Sequence, residues 1–159
     1  MNHETPLIRE ATQDDLPTLL DFEQALITYE RPLTPTIKEG NISYYNIKGY
    51  IDNPSICVLV ATVDNTVIAS GYALVKQAAD YKKAAQSAYL GFMYTVPEFR
   101  GKGINQLIIN KLMQWAADRK LTEIQLEVFA ENNSAIKAYN KVGFQSDLIM
   151  MRMDNPLLN

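Results

Sequence analysis

The sequence predicts an α/β fold: one domain over residues 1–159, built on a mixed sheet with helices on both faces. Three observations predict it. Two runs rich in β-branched residues flank Asp64-Asn65, which marks an antiparallel hairpin. Two long stretches, one ending near Tyr29 and one starting at Ile104, carry apolar residues at helical spacing. From Ser87 onward, strand-like and helix-like segments alternate, and strand–helix–strand passes give parallel, right-handed crossovers.

Leu7–Ala11 reads as a short strand. The next stretch, Thr12–Glu30, reads as a helix. Thr12 caps it, Asp15 completes a capping-box variant, and Leu16, Leu19, Leu20, Phe22, Leu26 and Tyr29 form its apolar stripe. Pro17 is tolerated only near the first turn. Thr36–Ile51 reads as a second helix despite Gly40 and Gly49. Ser55–Gln77 holds the hairpin, a polar loop around "AADYKKAAQ" follows, and Ser87–Val96 is a third long strand. Ile104–Lys120 is the longest helix, with Leu107, Ile108, Leu112, Trp115 and Ala116 on one face. Glu123–Ala130 alternates like a strand. Asn132–Val142 is a short helix with asparagines at its start and Gly143 at its end. "FQSDLIMMRM" is the last strand. The expected order is β α α β β β α β α β.

Composition excludes several classes. The net charge of −3 argues against non-specific nucleic-acid binding, which needs a basic face. No apolar run approaches the ~20 residues of a membrane span, and "MNHETPLIRE" lacks the apolar core of a signal peptide. The expectation is a cytoplasmic protein. Cys57 is the only cysteine, so no intrachain disulfide forms, and it reads as a small buried hydrophobe. With His3 the only histidine, no His/Cys metal site is expected.

The sharpest local feature is "PEFRGKGIN", between a strand and a helix. The first N–H groups of a helix lack intrahelical partners, and with the helix dipole they attract anions. Gly101 and Gly103 let a bulky anion approach the backbone. Arg100 and Lys102 add positive charge. The corner is neither a P-loop nor the Gly-x-Gly-x-x-Gly of dinucleotide-binding sheets. A phosphate-binding corner and a plain surface turn both fit it.

A second motif follows about thirty residues later. Asn132, Ala135, Tyr139, Lys141, Gly143 and Phe144 form "N-x-x-A-x-x-x-Y-x-K-x-G-F". Together with Arg100, Gly103 and Asn105, which align on the corner pattern Gln/Arg-x-x-Gly-x-Gly/Ala, it resembles the GNAT-type N-acetyltransferases from Tyr89 to Phe144. Asn105 stands where that family has Gly or Ala. The resemblance implies a mostly antiparallel sheet with a splayed coenzyme cleft, and acetyl-CoA as co-substrate without a metal. It implies that the backbone of Tyr94, Thr95 and Val96 binds the pantetheine arm. The amides of Gly101, Lys102, Gly103, Ile104, Asn105 and Gln106 would bind the pyrophosphate. Asn132 would touch the coenzyme arm, and Tyr139 would donate a proton to the departing thiolate.

The amine must be neutral to attack, so a base is needed. Glu127, twelve residues before Tyr139, resembles the Glu of the Glu/Tyr pair in the ribosomal-protein N-acetyltransferases of that family; Glu98 is a second candidate. Asp21, Glu23 and Glu30 would attract a cationic amine or simply form a solvated helix face. Tyr29, Tyr44, Tyr45 and Tyr50 are packing residues, some of which would line the acceptor site. The acceptor is a small-molecule or peptide amine of unread identity. A non-catalytic coenzyme-A-binding or regulatory domain is the alternative. The last strand and the "NPLLN" tail are a candidate edge for pairing two subunits.

Overall fold

A computed structural model describes residues 5–158; His3 lies outside the described residues. Strands β1 (Leu7–Glu10), β2 (Ile56–Val63), β3 (Thr66–Gln77) and β4 (Gln86–Thr95) pair antiparallel in succession, and β5 (Ile124–Leu126) joins β4 in parallel. Asp64 and Asn65 both adopt left-handed backbone, with φ of 49° and 61°, which gives the β2–β3 hairpin the twist of a two-residue turn.

Helices cover both faces, as expected. On one face lie α1 (Leu16–Glu30) and the single-turn α2 (Ile47–Ile51), burying Leu19, Phe22 and Ile47 against Val58, Val60, Tyr72 and Phe92. On the other, α3 (Ile104–Asp118) buries Ile104, Ile108, Ile109 and Leu112 against Leu59, Ala69, Ala73 and Leu90. The last helix, α4 (Asn133–Val142), reaches that core through Tyr139 and Val142. Cys57 is buried, and burial pushes its thiol up to about 11, so it behaves as a small apolar group. No helix of the described residues is long and apolar enough to cross a membrane.

The entry to α1 follows the capping reasoning. A 3₁₀ turn at Gln13–Asp15 precedes the α-helix, and the Asp15 carboxylate accepts the Thr12 N–H at 2.8 Å. Arg9 on β1 donates twice to the same carboxylate, at 2.7 and 2.9 Å, tying strand to helix and holding Asp15 below the usual carboxylate range.

Three elements differ from the sequence reading. The second helix covers only Ile47–Ile51 rather than Thr36–Ile51. Residues 36–46 form a loop, because charged side chains satisfy its backbone instead. Buried Glu23 accepts the N–H groups of Tyr44 and Tyr45 at 3.0 and 2.8 Å, and Arg31 donates to the carbonyls of Lys38 and Gly40. The strand expected at Glu123–Ala130 keeps only Ile124–Leu126. The last expected strand, Phe144–Met153, is unpaired and, beyond Phe144, exposed.

Candidate active site

The site grows from a defect in β4. Phe92 is buried at 2% exposure yet has φ of 55°, a conformation that bulky side chains avoid. The β3–β4 register slips at this point, between Ser70 and Tyr72. Ser70 Oγ donates to the Phe92 carbonyl at 3.0 Å, and the Tyr45 ring packs 5.3 Å from that of Phe92. A bulge bends its strand. The β4–β5 ladder stops two residues before Phe92, at Leu90–Leu126, while β4 runs on to Thr95. The outer edge of residues 91–95 therefore has no strand beside it, which leaves an opening in the sheet.

Tyr94, Thr95 and Val96 stand at the end of that edge. The Val96 N–H is already engaged, donating to Ile68 O at 2.9 Å. Arg100 does not stand free either: Nε donates to the Thr95 carbonyl at 2.8 Å, and the guanidinium lies 5.6 Å from the Tyr94 ring centre. It braces the end of β4. Lys102 lies over the Phe99 ring, 4.9 Å from its centre.

Beyond Arg100 the chain turns through Gly101 and Gly103, with φ of 73° and 78°, and α3 begins. No side chain caps α3, and its first internal bond runs from Leu107 N–H to the Gly103 carbonyl at 3.2 Å. The amides of Ile104, Asn105 and Gln106 thus have no partner within the helix. A Cβ built at Gly101 or Gly103 meets nothing within 4 Å. The corner is an open cradle of amide donors, suited to a polyphosphate. Asn105 is only partly exposed, and Gln106 turns its amide to Asn110 at 3.0 Å.

Across the opening stands α4. Asn132 caps it, accepting from Ala135 N–H at 3.4 Å, and also meets Tyr29 of α1 at 3.5 Å. The Tyr29 hydroxyl lies 3.4 Å from Ser134 Oγ. These contacts draw the end of α1 to the start of α4. Tyr139 is half-buried, edge-on to Phe144 with ring centres 5.9 Å apart. Burial, reinforced by the negative charge of Glu30, pushes its phenol up to about 12.

The carboxylates lie in different environments. Glu127, just past β5, is exposed, and its negative charge helps raise the Tyr89 phenol. Glu98 is exposed in the 3₁₀ turn Pro97–Phe99. Glu23 is structural, as its two backbone bonds show, and Asp21 is exposed. Glu30 departs most from the solvated helix face that was one expectation for it. It is half-buried at the end of α1, where its charge is felt by Tyr44, Tyr45 and Tyr139, and burial pushes its carboxyl up to about 7. Its sequence context, "ITYERP", shows a helix-end glutamate like many others, so only the tertiary fold reveals this environment. Among the described residues, no three His, Cys, Asp or Glu side chains cluster as a metal site.

An open corner of amide donors beside a half-buried phenol is the setting of an acyltransferase. The profile of the acetyltransferase (GNAT) family matches residues 19–144, and the chain belongs to that family. It is 29% identical over 142 residues to the thialysine N-epsilon-acetyltransferase of Sus scrofa, covering 86% of this chain and 82% of that one. Among solved structures, it superposes on a tetramutant of the BH1408 protein of Bacillus halodurans with a TM-score of 0.83 at 19% identity, covering 94% and 99% of the two chains. A predicted acetyltransferase from Clostridium acetobutylicum, solved with acetyl-CoA, aligns with a TM-score of 0.71 at 22% identity over 98% and 99%.

Proposed function

We propose that this enzyme moves the acetyl group of acetyl-CoA to the nitrogen of an amine by direct attack. The open glycine corner, at the end of a strand whose outer edge is unpaired past Leu90, carries the reading. Its free amides suit the pyrophosphate, through Gly101, Lys102, Gly103, Ile104, Asn105 and Gln106. The pantetheine arm would lie along Tyr94–Val96, with Asn132 at the facing helix. Because the Val96 N–H is engaged in the sheet, Val96 would serve that arm through its remaining groups.

In the reaction the amine lone pair attacks the thioester carbonyl, the C–N bond forms and the C–S bond breaks. Sulfur leaves with the electron pair, and Tyr139, which keeps its proton at neutral pH, meets it as donor. The amine proton passes to a carboxylate. Glu30 suits that step because a base works best with a pKa near the working pH. Glu127, more exposed and beside Tyr89, is the alternative base.

Two measurements test this. Incubation of acetyl-CoA with a panel of primary amines is expected to release free thiol with at least one of them. Tight acetyl-CoA binding with no acetylation across small amines and peptides would instead favour a binding domain. In the pH–rate profile, the rise of kcat/KM with an apparent pKa near 7 should vanish in Glu30→Gln, with a loss of roughly 10²-fold or more. Glu127→Gln should leave that rise in place. The opposite pattern would assign the base to Glu127.

A further inference from the structure

Tyr72 of β3 is 5% exposed and packs in the core beneath α1. Its ring is held on two sides, by Tyr45 and Tyr50, each edge-on with ring centres 5.4 Å away. Among the described residues its hydroxyl makes no hydrogen bond, and unlike the sealed hydroxyl of Tyr44 it keeps some open surface. A buried tyrosine ordinarily gives its hydroxyl a partner.

Gly91 fixes where that hydroxyl lies. It stands opposite Tyr72 in the β3–β4 ladder, and a Cβ built on it would meet the Tyr72 hydroxyl oxygen at 2.4 Å. Gly91 does not have a positive φ, so its backbone would admit a side chain; the missing Cβ makes room for the phenol instead. The ring thus reaches over β4 and sets its hydroxyl at the first residue past Leu90, where β5 ceases to pair. Burial pushes the phenol up, with Tyr89, Tyr50 and Glu127 adding to the push, so it is neutral at pH 7.

We propose that the Tyr72 hydroxyl holds the attacking nitrogen of the acceptor, accepting one of its N–H groups, and so selects primary amines. This rests on the acetyl-transfer reading: an arm that leaves the glycine corner and lies along Tyr94–Val96 carries its thioester toward Phe92 and Gly91. Tyr139 packs against the core beneath α3 and Tyr72 belongs to the core beneath α1, so the two phenols approach the thioester from opposite faces of the sheet. When the C–N bond forms, a primary amine becomes a positively charged nitrogen with two N–H groups. One proton passes to the carboxylate as the C–S bond breaks and sulfur leaves with the electron pair. The other N–H stays on the Tyr72 oxygen and remains in the amide product. Tyr72 neither gains nor loses a proton. A secondary amine brings a single N–H, which the carboxylate takes, and Tyr72 is left without a partner.

The probes are each primary amine that the panel acetylates and its N-methyl derivative. Tyr72→Phe keeps the ring and its contacts. It should lower kcat/KM for the primary amine by roughly 10–100-fold, the scale of a hydrogen bond to a charged group. The N-methyl derivative should lose little, so the preference for the primary amine shrinks by about the same factor. The KM for acetyl-CoA and the melting temperature should stay at the values of the unaltered enzyme. An unchanged preference in an active Tyr72→Phe enzyme overturns the proposal and leaves acetyl transfer standing. So does an equal loss for both amines, which would mark a packing defect or a contact to the thioester. If acetyl-CoA binds and no amine of the panel is acetylated, the acetyl-transfer reading itself falls and takes the proposal with it.

Discussion

Tyr139→Phe is expected to lower turnover by about 10²–10⁴-fold, the usual contribution of a positioned proton donor. Coenzyme affinity should stay near the wild-type value. The ring carries the packing: it rests on the core and meets Phe144 edge-on, and phenylalanine keeps that contact. Only the hydroxyl is lost. Because the phenol is pushed up to about 12, the donor is protonated across the whole neutral range, so no alkaline fall in rate near pH 8 should trace to it. The same shift couples to stability. Between its ordinary value of 10.0 and about 12, the folded chain holds a proton that the unfolded chain releases. That contribution is complete below pH 10 and disappears as pH rises to about 12. Single-turnover kinetics with saturating acetyl-CoA, beside calorimetry for binding, separate the two effects. An unchanged rate constant would remove the acid role.

Gly103→Val should weaken acetyl-CoA binding by roughly 10–100-fold, on the scale of 1.4 kcal/mol for each factor of ten. Two effects add. At φ of 78° a side chain strains the backbone, at about 1–2 kcal/mol. The new side chain also enters space that no protein atom fills within 4 Å, where the phosphates would sit. Gly40→Val is the matched control. Gly40 has φ of 83° and equally open surroundings, but it lies in the loop after α1. Both variants should lose similar stability in thermal melts, and only Gly103→Val should lose the coenzyme. Equal coenzyme affinity in the two would mean that the corner does not seat the phosphates.

The corner was legible because its signals are local. A strand, two glycines and an uncapped helix start within a few residues specify the turn, and tertiary context has little to add. The β2–β3 hairpin was legible for the same reason, through Asp64 and Asn65. Thr12 and Asp15 announced the start of the first helical segment, though not its 3₁₀ opening turn. Residues 36–46 were expected to be helical and are not, because Glu23 and Arg31 on and beside α1 take up the loop's polar groups. Pairing across some twenty residues leaves no trace in a local pattern. The Phe92 bulge was equally hidden, since its left-handed backbone is held by Ser70 and Tyr45, far away in sequence.

The sequence by itself determined the α/β class, the glycine corner and the Asn132–Tyr139 motif, because periodicity, turn residues and motif spacing act over short stretches of chain. Tertiary structure alone decided that β4 parts from β5 after Leu90, that Glu23 is structural, and that the charge of Glu30 is felt by Tyr139. It also left the last apolar strand without a partner. The physical reason is common to all four. Burial and charge environment depend on which distant segments come together, and desolvation by those neighbours turns an ordinary helix-end glutamate into a group that titrates near neutrality.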